Sequence, residues 1–231
     1  MRGAGVACLG LAFLAVLAAC GGGGDTPPPA DPEQVLRQAA ERLKDVKSFR
    51  FSLGHENGTT AMPLNLDLVS AEGDVAVPDR LAADVVAKAS GVTVRVKVIA
   101  VADRTWITNP FSRQWQRLPG EVSVRDIADP AAFVMAVVGA MRDIELVGSE
   151  RLDGVATYKV SGSVDSGALR SALGSAQPGL SVAVEVWAGV DDGLPRRVRL
   201  RGGVSPDEPG DIVRTLSLSG FDAPVKIEPP E

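Results

Sequence analysis

The spacing of apolar positions changes along this chain, and each change predicts a different kind of element. Between residues 32 and 46, Val35, Leu36, Ala39, Ala40, Leu43 and Val46 recur at helical spacing, with Glu33, Arg37, Glu41 and Lys44 on the other face. Asp31 can cap this segment, Pro32 suits its first turn and Gln34 stands three residues after the cap. The pattern predicts an amphipathic helix of about four turns lying against a sheet. From Ser48 onward the period falls to two. In Val92-Thr93-Val94-Arg95-Val96-Lys97-Val98 the valines point one way and Thr93, Arg95 and Lys97 the other, as a half-solvated antiparallel strand requires.

The same alternation marks Leu64, Leu66 and Leu68; Val182, Val184 and Val186; Leu194, Val198 and Leu200; and Leu216 and Leu218. Turn residues separate the runs at Ala89-Ser90-Gly91, Asp153-Gly154, Asp191-Asp192-Gly193 and Pro206-Asp207-Glu208-Pro209-Gly210. Together they predict roughly ten strands in one long antiparallel meander.

Two helical stretches interrupt it. Asp129-Pro130 opens the first, and residues 131–141 carry no polar side chain, so every side of that helix is expected to avoid bulk water. Asp165 through Gly174 reads as a shorter helix, with Asp165 or Ser166 as cap, Leu169 and Leu173 four apart, and Gly174 as stop. Residues 31–231 therefore read as one α+β domain, since no linker-like composition recurs inside them.

The N-terminus has a different character. Arg2 precedes a short apolar run, residues 10–20, too brief to favour a membrane span and shaped like an export signal. Leu17-Ala18-Ala19-Cys20 resembles the bacterial lipobox, in which the cysteine becomes the acylated first residue of the mature protein. The expectation is a leader at residues 1–19, a lipid-bearing (palmitate-type) Cys20 and a Gly/Pro tether through residue 30. More than one acyl chain on a cysteine anchors stably, where a single chain binds only marginally. The rest of the chain is then extracytoplasmic and held at the cell membrane.

Charge and residue inventory narrow the chemistry. The chain has 24 basic and 29 acidic residues, for a net charge of −5, which gives no basis for nucleic-acid binding. Of its 2 cysteines, Cys8 leaves with the leader and Cys20 is the anchor, so no disulfide, zinc site or thiol nucleophile is expected. The single histidine, His55, sits in Gly54-His55-Glu56-Asn57-Gly58, which reads as a turn with a solvated imidazole. No G-x-S-x-G elbow, phosphate-binding loop or G-x-G-x-x-G occurs. Asp191-Asp192 beside Gly193 reads as a hairpin turn in preference to a calcium site. Arg197, Arg199 and Arg201 share one strand face, which reads as a solvated outer face with a matching acid neighbour in preference to a site for anionic headgroups. Trp106, Trp115 and Trp187 are candidates for core or for a membrane-facing rim. An enzyme, a cofactor and a metal are all unexpected.

A curved sheet with helices on one side has either a filled interior or a cavity for an apolar ligand. The inward candidates Ala83, Val85, Ala87, Val94, Val96 and Val98 are small or medium, and aromatics make up only 4% of the chain, which leans toward a cavity. Each buried methylene contributes about 0.8 kcal/mol, so a sixteen-carbon chain gains on the order of 12 kcal/mol before entropy costs.

Several stretches resemble one family. They are residues 40–49 of the first helix; Val94 through Trp106; Asp129-Pro130; residues 148–162; Val184-Glu185-Val186-Trp187; and the closing residues 216–230. In order and spacing they resemble the LppX/LprG/LprA/LprF family of actinobacterial, mycobacterial-type cell-envelope lipoproteins. The resemblance implies a half-barrel antiparallel sheet similar to LolA-type carriers, with helices across the concave face enclosing an apolar cavity for acyl chains of envelope lipids or glycolipids. It places Val85, Ala87, Val94, Val96 and Val98 on the cavity wall from the strands, and Phe133, Val137 and Met141 from the helix. The implied protein is a monomeric, membrane-anchored carrier or chaperone in lipid transport, with an envelope transporter as a candidate partner. Opening is expected at the apolar helix, with Gly120 and Gly139 supplying local freedom. The alternative is an extracytoplasmic sensor or adaptor of the same fold that binds a protein.

Overall fold

The computed structural model describes residues 30–62, 66–118 and 130–230; the leader, Cys20, the tether, Leu64, Gly120 and Asp129 lie outside the described residues. Helix α1 is Pro32–Asp45, with the Asp31 carboxylate accepting the Glu33 amide at 3.0 Å and Pro32 in the first turn. Its buried residues, Val35, Leu36, Ala39 and Leu43, are the stripe that the spacing predicts.

The strands are β1 Ser48–Glu56, β2 Thr60–Met62, β3 Leu66–Ala76, β4 Arg80–Ala89, β5 Val92–Val101, β6 Arg104–Thr108, β7 Trp115–Arg117, β8 Arg142–Leu152, β9 Val155–Asp165, β10 Ser181–Gly189, β11 Pro195–Arg201 and β12 Val213–Ser219. Helix α2, Pro130–Ala140, falls between β7 and β8.

All twelve strands form one open antiparallel sheet in the order β7-β6-β5-β4-β3-β1-β12-β11-β10-β9-β8, with β2 added on β3. The architecture is the expected α+β sheet with helices on one side, but the single meander of roughly ten strands is not what forms. Two meanders meet in the middle, where the last strand returns to pair with the first, Phe51 opposite Leu218 and Leu53 opposite Leu216. Alternation within each strand carries no record of which strand lies beside it, so this long-range pairing is invisible locally. The outermost strands, β7 and β8, are consecutive in the chain, and α2 lies in the connection between them.

Both described helices sit on the second meander. Helix α1 packs on β8, β9, β10 and β11, while α2 packs on α1, on β9 and on a single 3-10 turn, Ser166–Leu169. That turn is all that forms of the helix expected from Asp165 to Gly174. The Asp165 carboxylate accepts the amides of both Gly167 (2.8 Å) and Gly179 (3.0 Å), and Ser166 Oγ accepts the Leu180 amide (3.1 Å). These side-chain bonds tie the segment to the following loop and compete with a helical ladder. Leu169 and Leu173 are nevertheless buried.

Helix α2 is also less enclosed than its composition suggests. Phe133, Val134, Val137 and Val138 are buried, whereas Ala132 and Gly139 are exposed and Met135 and Ala136 half-buried. Small residues make its outward side, so a helix apolar all round lies at the surface with little large side chain in water.

The main buried cluster fills the space between the helices and the second meander: Val134 and Val137 against Val160, Val164, Val182, Val184, Val186 and Leu200, none more than 2% exposed. In the first meander its buried members are Phe49, Phe51, Leu81 and Ala100, with Leu53, Ala71, Val75, Ala83 and Val98 half-buried at its margin.

Candidate functional site

Strand register assembles the inner face of the first meander. Phe51, Gly73, Ala83, Val98 and Ile107 lie in one row across five strands, and Leu53, Ala71, Val85 and Val96 in the next. A third row joins Leu68, Ala87 and Val94 beyond the irregularity between Leu68 and Ser70. A Cβ at Gly73 would lie 2.1 Å from the Ala82 carbonyl oxygen, so this close approach of β3 to β4 admits only glycine. On β4 and β5 the rows hold only alanine and valine, with Phe51, Leu53 and Leu68 on β1 and β3, and no titratable group stands among them.

The structure divides the eight expected wall residues into two sets. Val85, Ala87, Val94, Val96 and Val98 share this inner face; Ala87 is buried and the four valines are half-buried. Phe133, Val137 and Met141 are 8%, 0% and 8% exposed, within the filled cluster beneath the helices. At α2 the interior is packed side chain. The half-buried apolar surface lies on β3–β5.

A polar cluster closes the same face toward the C-terminal end of β1. His55 is not a solvated loop residue: it belongs to β1, opposite Arg214 of β12, and is half-buried. Arg214 is 1% exposed; its Nε donates to Thr60 Oγ1 at 2.9 Å and its Nη2 meets Glu208 Oε1 at 2.6 Å. Thr60 Oγ1 is 2.8 Å from His55 Nε2, and His55 Nδ1 is 2.9 Å from the Val69 carbonyl oxygen. The Val69 carbonyl oxygen can only accept, so Nδ1–H donates to it, and Nε2 meets the Thr60 hydroxyl, whose oxygen also accepts from Arg214 Nε. Burial pushes the His55 pKa down, the Val69 bond opposes this, and the Arg214 charge lowers it further. Glu208 also accepts the Val204 amide at 2.8 Å, so the ion pair ties the 203–211 loop to the sheet. Alternation could have placed His55 inward with Phe51 and Leu53, but its glycine-rich neighbours read as a turn.

The outer face is a charged lattice. Arg197, Arg199 and Arg201 lie on one strand face, with Arg199 3.4 Å from Glu56 and 3.9 Å from Glu185. Trp187 is 4% exposed, between Lys159 (4.8 Å) and Arg197 (5.8 Å), and its indole donates to Glu150. Asp192 serves the turn, accepting the Leu194 amide and pairing with Arg196. A groove of about 560 Å³ opens on this face, lined by Arg50, Asp74, Asp84, Lys97, Ile99 and Trp115 among others. Arg50 is held by a two-pronged bond to Asp74 (2.9 and 3.1 Å), and Lys97 pairs with Asp84 at 3.5 Å. The lining mixes charged and apolar groups and also includes Phe51, Ala83 and Val98 of the first inner row. Among the described residues no group of three or more His, Cys, Asp or Glu is placed to hold a metal, and no helix is long and apolar enough to cross a membrane.

The model of the family described as LppX_LprAFG lipoprotein matches residues 31–227, and the chain belongs to this family. The crystal structure of lipoprotein LppX from Mycobacterium tuberculosis is 20% identical, with TM-score 0.62, covering 86% of this chain and all of that one. LprF from Mycobacterium bovis is likewise 20% identical, with TM-score 0.67, covering 89% of this chain and 99% of its own. At this identity both establish the fold. No match is found among curated proteins.

Proposed function

We propose that this member of the LppX_LprAFG lipoprotein family is a non-enzymatic carrier of acyl-chain lipids or glycolipids, tethered to the extracytoplasmic side of the cell membrane through Cys20. The observation that carries this reading is the half-buried inner face of β1 and β3–β5, where Leu53 and Ala71 pack against the filled core and Val85, Val94 and Val96 continue the face beyond it, half-buried. Partly desolvated valines take up an acyl chain by burial alone, and no reactive group is required. In this reading Val85, Ala87, Val94, Val96 and Val98 line the lipid site, while Phe133, Val137 and Met141 form its floor from the packed side. Residues 1–19 are the leader, 20–30 the lipidated tether and 31–231 the binding domain, acting as a monomer.

Native mass spectrometry with solvent extraction tests it, on a chain beginning at Gly21 and purified from cells that make membrane lipids but cannot acylate it. A stoichiometric lipid adduct that disappears in Val85→Trp, at unchanged thermal stability, is the expected result. The packed interior at α2 favours a second reading, an adaptor that presents its face to a protein. A clean apo mass under gentle conditions selects that reading and rejects the carrier.

A further inference from the structure

The β6–β7 turn has a feature the carrier reading leaves unused. Phe111 is 86% exposed at its tip, the most exposed large apolar side chain among the described residues. The turn is rigidly built: the Asn109 amide donates to the Gln114 carbonyl oxygen (2.8 Å) and the Arg113 amide to that of Asn109 (2.9 Å). Asn109 Oδ1 accepts the amides of Phe111 (2.9 Å) and Ser112 (3.0 Å), and Arg113 takes a positive φ of 61°. A preorganised tip loses little conformational freedom when it docks.

Its surroundings share its character. Trp115 pairs with Thr108 at the base of the turn and is half-buried on the outer face. Strand β6 pairs with β5 only over Val98–Val101, so the turn projects beside the first half of β5. That half begins at the Ser90-Gly91 hairpin with Val92, 60% exposed. Lys88, Arg95 and Arg113 are exposed at this corner, and Asp67, opposite Lys88, is the acid among them. On a chain of net charge −5, this corner is cationic and apolar at once.

We propose that the corner formed by the 109–114 turn and the β4–β5 hairpin is a docking surface for an anionic lipid bilayer. Phe111 enters the acyl region, Trp115 stays at headgroup depth, and Lys88, Arg95 and Arg113 meet lipid phosphates. The contact would add a second, reversible membrane signal to the anchor and bring the valine rows of β4 and β5 to the bilayer surface. It goes beyond the carrier reading, and its readout needs no cargo.

The chain beginning at Gly21 keeps every described element and is tested by co-sedimentation with vesicles of phosphatidylcholine alone or mixed with phosphatidylglycerol. Tighter binding to the anionic vesicles is expected, weakened by salt. Phe111→Ser is expected to reduce it about tenfold or more, the partitioning contribution of one phenylalanine, with unchanged lipid occupancy. In Phe111→Trp, brominated lipid should quench the new indole. Equal vesicle binding by wild type and Phe111→Ser, or none by either, overturns the proposal. Loss of bound lipid in Phe111→Ser also overturns it, because the residue would then belong to the cargo site. A lipid-free protein that still docks through Phe111 would sink the carrier reading alone.

Discussion

The two meanders use the same residue types to opposite ends. In the second, Val160, Val164, Val182, Val184 and Val186 stand under α1 and α2 and are sealed from water. In the first, Val85, Val94, Val96 and Val98 repeat the same alternation and stop half-buried. Valine in a strand is thus neither core nor binding surface in itself; the helix laid against it decides. In the proposed carrier reading the difference also separates stability from function: the filled core holds the fold, and the unfinished one is where a ligand would add its own apolar surface.

Substitutions of matched chemistry in the two halves test this separation. Val137→Asp places an unpaired carboxylate in the sealed half and should cost more than about 4 kcal/mol, enough to abolish a cooperative urea transition. Val96→Asp, on the half-buried face, should leave that transition nearly in place while removing bound lipid; equal damage from both would erase the distinction. Next in size, Arg214→Met strands Glu208 beside the loop and should lower stability by about 3–5 kcal/mol, with Arg214→Met/Glu208→Gln recovering a large part. Urea midpoints of the three proteins check this, and absence of recovery would mean that loop packing dominates. Asp31→Ala removes the α1 cap and should cost about 1 kcal/mol, read as a small fall in Tm.

The pH response completes the series. Because the folded pKa of His55 lies below its unfolded value, the unfolded chain takes up the proton first. The contribution is fully present above about pH 6.5 and is lost as pH falls through the lowered folded value. Urea midpoints measured downward from pH 7 should fall in wild type and less steeply in His55→Gln. Parallel slopes would remove His55 as the source.

The outer and inner faces differ in legibility as well. The α1 stripe, the valine rows and the acid-matched arginines of β11 were all readable, because each depends on which way neighbouring side chains of one segment point. His55 was misread for the same reason: Gly54, Asn57 and Gly58 are local turn signals, and its inward place depends on Arg214, more than 150 residues away. The segment following β9 shows the converse. Spacing between Leu169 and Leu173 suited a helix, yet the carboxylate of Asp165 found Gly179 instead.

Periodicity and turn chemistry alone specified most of the strands and the first helix, since these rest on residues close together in the chain. Which strands meet, that β12 closes on β1, and that both described helices cover one half of the sheet came only with the tertiary structure. Pairing and helix placement are settled by the total apolar area brought out of water, a sum over distant segments that no single stretch contains. That sum leaves β3–β5 incomplete, and there the proposed site lies.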